Sequence, residues 1–251
     1  MIKGILRASS SKGGSVMFKR GVAVLLILLL LGTSGCKRSS PSVPTKKSNV
    51  DTPSDQLLAY FPKSTETVWE YDGMAEYGCR MTLMSQRSQE EPPRTIYRLE
   101  GEVADMSDGE STANFHFELK YHFTQDSVYE EILESGSPFP HRIPYLKMLT
   151  LPLKKGNRWE QEVTVNGQSQ SLTAEIITIG SEKVFEKDIQ TLTVRYRVPM
   201  ANMPGGIYEE VRVFAKGYGI LRFENTFGPN KTDRFNYFLR AMHQSSEDNV
   251  Q

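Results

Sequence analysis

Asn114-Phe-His-Phe-Glu-Leu-Lys-Tyr-His-Phe123 is the stretch that decides the fold. Phe115, Phe117, Leu119, Tyr121 and Phe123 alternate with Asn114, His116, Glu118, Lys120 and His122. A period of two sends apolar side chains to one face of a strand and polar ones to the other. Thr191 to Val198 repeats the pattern, with Leu192, Val194, Tyr196 and Val198 on one face. Working outward, shorter runs rich in Val, Ile, Thr, Tyr and Phe predict strands at Val68–Tyr71, Tyr77–Ser85, Thr95–Val103, Ser127–Leu133, Arg158–Val165, Ser171–Ile179, Gly206–Phe214, Gly219–Thr226 and Arg234–Ala241. No long stretch keeps a helical period. Ser54 to Tyr60 predicts one short helical turn, with Ser54 as its cap and Pro62 as its stop. Strands without helices between them pair antiparallel, because parallel neighbours need long crossovers. The expectation is a mainly β fold, an antiparallel sheet or partly open barrel.

The two tryptophans suggest two similar halves. Phe61-Pro62 precedes Trp69-Glu70 as Leu151-Pro152 precedes Trp159-Glu160, and each tryptophan opens a series of strands. Proline fixes an extended entry and the indole plugs the core at the start of a strand. The halves fall at about 55–148 and 149–242. Chance likeness between two β-turn entries is the competing reading. Residues 243–251 are polar and read as a frayed tail.

The N-terminus carries an address. Lys19-Arg20 leads into the apolar run Gly21 to Leu31, which ends in Gly32-Thr-Ser-Gly-Cys36. The run is about half of the ~20 residues that a spanning helix needs. A basic region, a short apolar region and small residues at the cut form a secretory signal, residues 1–35, with Met17 as an alternative start. Small residues before a cysteine resemble the lipid-attachment signal of bacterial lipoproteins, although Thr33 stands where leucine is usual. The resemblance implies that Cys36 takes a diacylglyceryl group, becomes the first mature residue and anchors the protein to the cell membrane or outer membrane on the extracytoplasmic side. An ordinary secretory signal with a coincidental cysteine is the alternative. From Lys37 to Ser54 the chain is rich in Ser, Pro, Thr and Lys, too polar to fold. It reads as a tether with a span of about 25 Å. The segment Leu151-Pro-Leu-Lys-Lys-Gly-Asn-Arg-Trp159 resembles the "PLKxGxxW" entry of secreted bacterial lipoproteins of unassigned function. Phe214-Ala-Lys-Gly-Tyr-Gly-Ile-Leu221 is similar to their "APGVGLV" segment. These likenesses imply a β-rich extracytoplasmic domain and bring no catalytic residues with them.

Composition excludes several function classes. Thirty basic residues balance thirty acidic ones, so there is no electrostatic case for nucleic acid. Cys36 and Cys79 are the only cysteines, too few for a disulfide framework or a cysteine metal site. His116 and Glu118 share one strand face at a ligating spacing, but two ligands do not close a zinc site, and a solvated face is the simpler reading. No catalytic motif is present, and the adjacent pairs Glu130-Glu131 and Glu209-Glu210 point to opposite faces of their strands, so neither forms an acid–base dyad. No cofactor or metal is expected.

The connection Ser135 to Pro152 holds four prolines among Phe139, Tyr145, Leu146, Met148 and Leu149. It reads as a long packed loop between the halves, or else as an apolar rim. The function expected is non-enzymatic: a membrane-anchored β-domain that binds an envelope protein. The alternative is a carrier or sensor of a hydrophobic molecule such as an acyl chain, with Phe115, Phe117, Phe123, Tyr145 and Met148 lining the space. An envelope hydrolase using His116, His141 and Glu118 is a third possibility, supported by location alone.

Overall fold

The computed structural model describes residues 53–73, 77–105, 115–135, 143–165, 167–201, 203–227 and 233–244. The signal, Cys36, tether residues 37–52, His141 and the tail beyond Gln244 lie outside the described residues. Helix α1 (Asp55–Leu58) begins where the cap predicts, with Ser54 Oγ accepting the Gln56 N–H at 3.2 Å.

Twelve strands follow. They are β1 (Val68–Asp72), β2 (Tyr77–Gln89), β3 (Arg94–Asp105), β4 (Phe115–Phe123), β5 (Ser127–Ser135), β6 (Tyr145–Thr150), β7 (Arg158–Val165), β8 (Gln168–Val184), β9 (Lys187–Pro199), β10 (Ile207–Ala215), β11 (Gly219–Phe227) and β12 (Asp233–His243). Among the described residues the strands pair antiparallel, in the order β6-β5-β4-β3-β2-β1-β12-β11-β10-β9-β8-β7. Two corrections apply to the sequence reading. The stretch 135–152 is not one long loop, because β6 lies inside it. Its alternation is hidden by a bulge: Val128 pairs Leu149 and Tyr129 pairs Lys147, which leaves Met148 as the extra residue, so Met148 and Leu149 are both buried. His243, expected to begin the tail, is still part of β12 and pairs with Val68.

Further bulges between Leu83 and Ser85, Ile176 and Thr178, and Val213 and Phe214 curl the sheet. Its two ends meet, and the sheet is nearly closed into a barrel. Alternate residues fill the interior, among them Tyr71, Leu99, Tyr121, Phe123, Leu146, Val194 and Phe223. Gly101 lies under the Phe117 ring, where a Cβ would stand 2.2 Å from Cζ, so only glycine admits that ring.

In a meander, alternate turns share one end of the barrel. That end carries the β2–β3, β4–β5, β6–β7, β8–β9 and β10–β11 turns. The chain that follows α1 plugs it. Gly217 and Gly219 N–H donate to Ala59 and Tyr60 carbonyls at 2.8 and 2.7 Å. The Phe61 ring packs against Phe123, Tyr121 and Phe214 at centroid distances of 5.0, 5.4 and 6.2 Å.

Candidate functional site

Three regions carry enough chemistry to be weighed as a site: a charged cluster inside the barrel, the junction between β6 and β7, and the outer face.

The interior cluster centres on Arg212, which is 1% exposed. Tyr208, Glu210, Arg212 and Phe214 are alternate residues of β10 and all are buried. Arg212 Nε pairs with Glu210 Oε1, and Nη2 reaches Glu130 Oε1 on β5 at 2.8 Å. Tyr208 OH donates to Glu210 Oε2 at 2.7 Å, and Arg212 Nη1 lies 3.2 Å from Met148 Sδ. The guanidinium stands over the Tyr196 and Phe223 rings at 5.8 and 5.5 Å. Burial pulls Arg212 toward the neutral form, but Glu130 and Glu210 outweigh it and hold its pKa well above the ordinary value. Burial likewise pushes the Tyr71, Tyr121, Tyr196 and Tyr237 hydroxyls upward, and the Cys79 thiol with them. Arg212, Glu130, Glu210 and Tyr208 bond to one another, while the Tyr71 and Tyr196 hydroxyls donate to the Ile220 and Met148 carbonyls at 3.0 and 2.6 Å. Beside Glu130, the space bounded by Tyr71, Cys79, Phe117, Tyr121 and Tyr237 is about 20 Å³. That holds about one water molecule.

At the β6–β7 junction, side chains do the work of a main-chain ladder. Asn157 Nδ2 donates to Thr150 O at 3.0 Å and Trp159 Nε1 to Lys147 O at 3.1 Å. Gln161 Nε2 donates to Tyr145 O at 2.9 Å, while Gln161 Oε1 accepts the Lys147 N–H at 2.7 Å. Alternate positions 157, 159 and 161 thus satisfy the free edge of β6. From inside, Tyr196 OH donates to Met148 O at 2.6 Å. On the outer side Tyr129 and Tyr145 stack at 5.3 Å, with Lys147 Nζ 5.5 Å from the Tyr129 centroid. His122 Nε2 lies 2.7 Å from Glu131 Oε2, and its buried Nδ1 has no hydrogen-bond partner. This is a histidine–carboxylate pair, and among the described residues no nucleophile is joined to it.

The outer face is organised in charged rows. Glu70, Arg80, Glu102 and His116 are register neighbours across β1 to β4. Arg158, Glu175 and Arg195 run likewise across β7 to β9. Arg98 pairs with Glu118 at 2.7 Å and Arg197 with Glu209 at 2.5 Å. The Arg98 hydrogen bond holds the Glu118 carboxyl below its usual range, and Arg240 does the same for Glu70. Two open grooves lie on this face. One, of about 350 Å³, is bounded by Arg158, Glu160, Glu175, Arg195 and Arg197; the other, of about 320 Å³, by Arg80, Glu100, Glu102 and His116. Charged residues on the lipid face of a membrane barrel cost about 2–4 kcal/mol each near the midplane. These rows are therefore a water-facing surface. Among the described residues no helix is long and apolar enough to cross a membrane.

The sequence-expected lining residues do not share one space. Phe117 rests on Gly101, Phe123 joins the Phe61 plug with Tyr97, and Met148 faces Arg212. Tyr145 is on the outer side, 42% exposed, and the Phe115 side chain is outside the described residues. His116 and Glu118 face outward, with Glu118 taken by Arg98. Among the described residues no cluster of three metal-ligating side chains occurs. The Arg212 cluster escaped sequence reading. The signal it leaves is charge on both faces of one strand, Glu209 on one and Glu210 with Arg212 on the other.

No protein-family model matches the chain, and no curated protein matches it. Two solved structures are similar to the chain at low identity. One is a Bacteroides fragilis protein described as exported with a YmcC-like fold, at 11% identity and TM-score 0.49, covering 73% of this chain and 98% of that one. The other is a Parabacteroides distasonis protein described as a lipoprotein, at 9% identity and TM-score 0.45, covering 77% and 100%. Likenesses this distant leave function to be argued from the residues of this chain.

Proposed function

We propose that the protein is a membrane-anchored extracytoplasmic lipoprotein whose barrel is a non-enzymatic interaction domain. The Cys36 signal supports the anchor. The observation that carries the interaction reading is the filled midsection of the barrel. Arg212, Glu130 and Glu210 close on one another there, and the space beside them is about 20 Å³. Ligand pockets run to roughly 300–1,000 Å³, so this part of the interior offers an acyl chain no room. Grooves of that size are on the outside, where charged side chains suit a polar partner rather than a lipid.

Expression in a bacterial host, wild type beside Cys36→Ser, tests the anchor. Intact mass is expected to show cleavage before Cys36 plus acyl chains, and Cys36→Ser is expected to lose both the chains and membrane fractionation. A soluble wild-type product without lipid would refute it. Native mass spectrometry of the Cys36→Ser domain tests the interior: a stoichiometric lipid retained in the barrel would replace the interaction reading with the carrier reading.

A further inference from the structure

The β8–β9 hairpin outruns its neighbours. β7 stops pairing with β8 at Glu175, and β10 stops pairing with β9 at Thr191. β8 and β9 continue through Ser181–Gln190, Glu182–Ile189, Lys183–Asp188 and Val184–Lys187. Four further pairs extend the arm by about 14 Å. Its turn, Phe185-Glu186, holds two non-glycine residues at φ 46° and 66°. This conformation is unfavourable for a bulky side chain, so the fold maintains it against a local cost. The result is an aromatic ring at the tip of the arm, 45% exposed, between exposed Lys183 and Lys187.

The arm is fixed in place. Val184 is buried, Arg222 pairs with Glu182 at 2.6 Å, and the Phe185 ring sits 5.9 Å from Tyr218. Tyr218 belongs to the same Gly217-Tyr218-Gly219 turn that receives the Ala59 and Tyr60 carbonyls. The point where the chain enters the barrel and the tip of the arm therefore flank a single turn. In sequence, residues 37–58 separate that entry from Cys36, and Lys37 to Ser54 have the polar composition expected of a tether. Exposed Lys63, Lys154, Lys155 and Lys216 occupy the entry and turns at the same end, together with exposed Glu66, Glu90, Glu91 and Asp126; on the arm Glu186 and Asp188 are the exposed acids, and Glu182 is paired with Arg222. An exposed aromatic ring flanked by two lysines, at the end where the chain from Cys36 enters the barrel, suits the interface of a bilayer.

We infer that the tip of the β8–β9 hairpin, Phe185 with Lys183 and Lys187, contacts the anionic lipid surface and turns this end of the barrel toward the membrane. The inference rests on the anchored-lipoprotein reading. The test places an environment-sensitive thiol fluorophore at Phe185→Cys, or at Ile207→Cys on the opposite end, in the membrane-extracted mature protein. The protein is reconstituted into vesicles of phosphatidylglycerol and phosphatidylcholine. Cys79 is buried with its thiol pushed up, so it is spared labelling. Emission at 185 is expected to shift to the blue and to be quenched by lipid-borne quenchers, while 207 stays unchanged. Lys183→Glu with Lys187→Glu is expected to weaken vesicle binding of the unlipidated Cys36→Ser chain about thirtyfold at low salt, from roughly 1 kcal/mol per lysine. No shift at 185, or an equal or larger shift at 207, would overturn the inference. Intact mass reports lipidation separately: an unlipidated protein would carry a second label at Cys36, which distinguishes failure of the anchor from failure of the contact.

Discussion

The barrel has two junctions between its first six strands and its last six, and they are built differently. At the first, β1 meets β12 in a main-chain ladder from Val68–His243 to Asp72–Phe238. At the second, β6 meets β7 through Asn157, Trp159 and Gln161, with Tyr196 and Arg212 tying the β6 side to β9 and β10 from within. Both tryptophans donate Nε1 to a carbonyl, Trp69 to Tyr218 O at 2.7 Å and Trp159 to Lys147 O at 3.1 Å. Only the second tryptophan spends that bond on joining strand edges. A main-chain ladder is indifferent to side-chain identity, whereas a side-chain junction depends on a few named residues. The β6–β7 junction is therefore the place where substitution should open the barrel.

The largest effect is expected from Arg212→Met. It leaves Glu130 and Glu210 buried without their cation and should cost about 3–5 kcal/mol in chemical denaturation. The triple change Arg212→Met, Glu130→Gln, Glu210→Gln should recover most of that loss. Tyr196→Phe strips the hydroxyl from Met148 O and should cost about 1–3 kcal/mol. Gln161→Ala frees two edge groups of β6 and should cost about 1 kcal/mol, with faster hydrogen exchange at the Lys147 amide and unchanged exchange along β1 and β12. Equal acceleration at both junctions would erase the distinction between them. The smallest effect is expected from Glu70→Gln at the first junction, where the pair with Arg240 is exposed.

Alkaline pH adds a global check. Tyr71, Tyr121, Tyr196 and Tyr237 have hydroxyls raised by burial, and Cys79 a raised thiol. When the folded pKa lies above the unfolded one, stability is full below the unfolded value and is lost as pH rises toward the folded one. The denaturation midpoint should hold near pH 8 and fall steeply beyond about pH 10. Tyr237→Phe should soften that fall.

Much of the architecture was legible in the sequence by itself. Period-two alternation located β4 and β9, runs rich in β-branched and aromatic residues located nine more strands, and the lack of a helical period excluded long helices. Ser54 marked the helical turn, and the glycine pair around Tyr218 marked a reversal. Strand β6 was hidden because the bulge at Met148 breaks the period. The interior of the barrel was decided only by tertiary structure. Along β10 Ile207, Glu209, Val211 and Val213 alternate with Tyr208, Glu210, Arg212 and Phe214, so both faces mix apolar and charged residues and local pattern does not say which is inside. Pairing of β10 with β9 and β11 turns Glu210 and Arg212 inward. That is tolerable because Glu130, distant along the chain, arrives across the barrel to meet Arg212. A strand's alternation says that two faces differ. Which face is inside, and which distant charge makes a buried arginine affordable, depends on register and closure, which no local pattern contains.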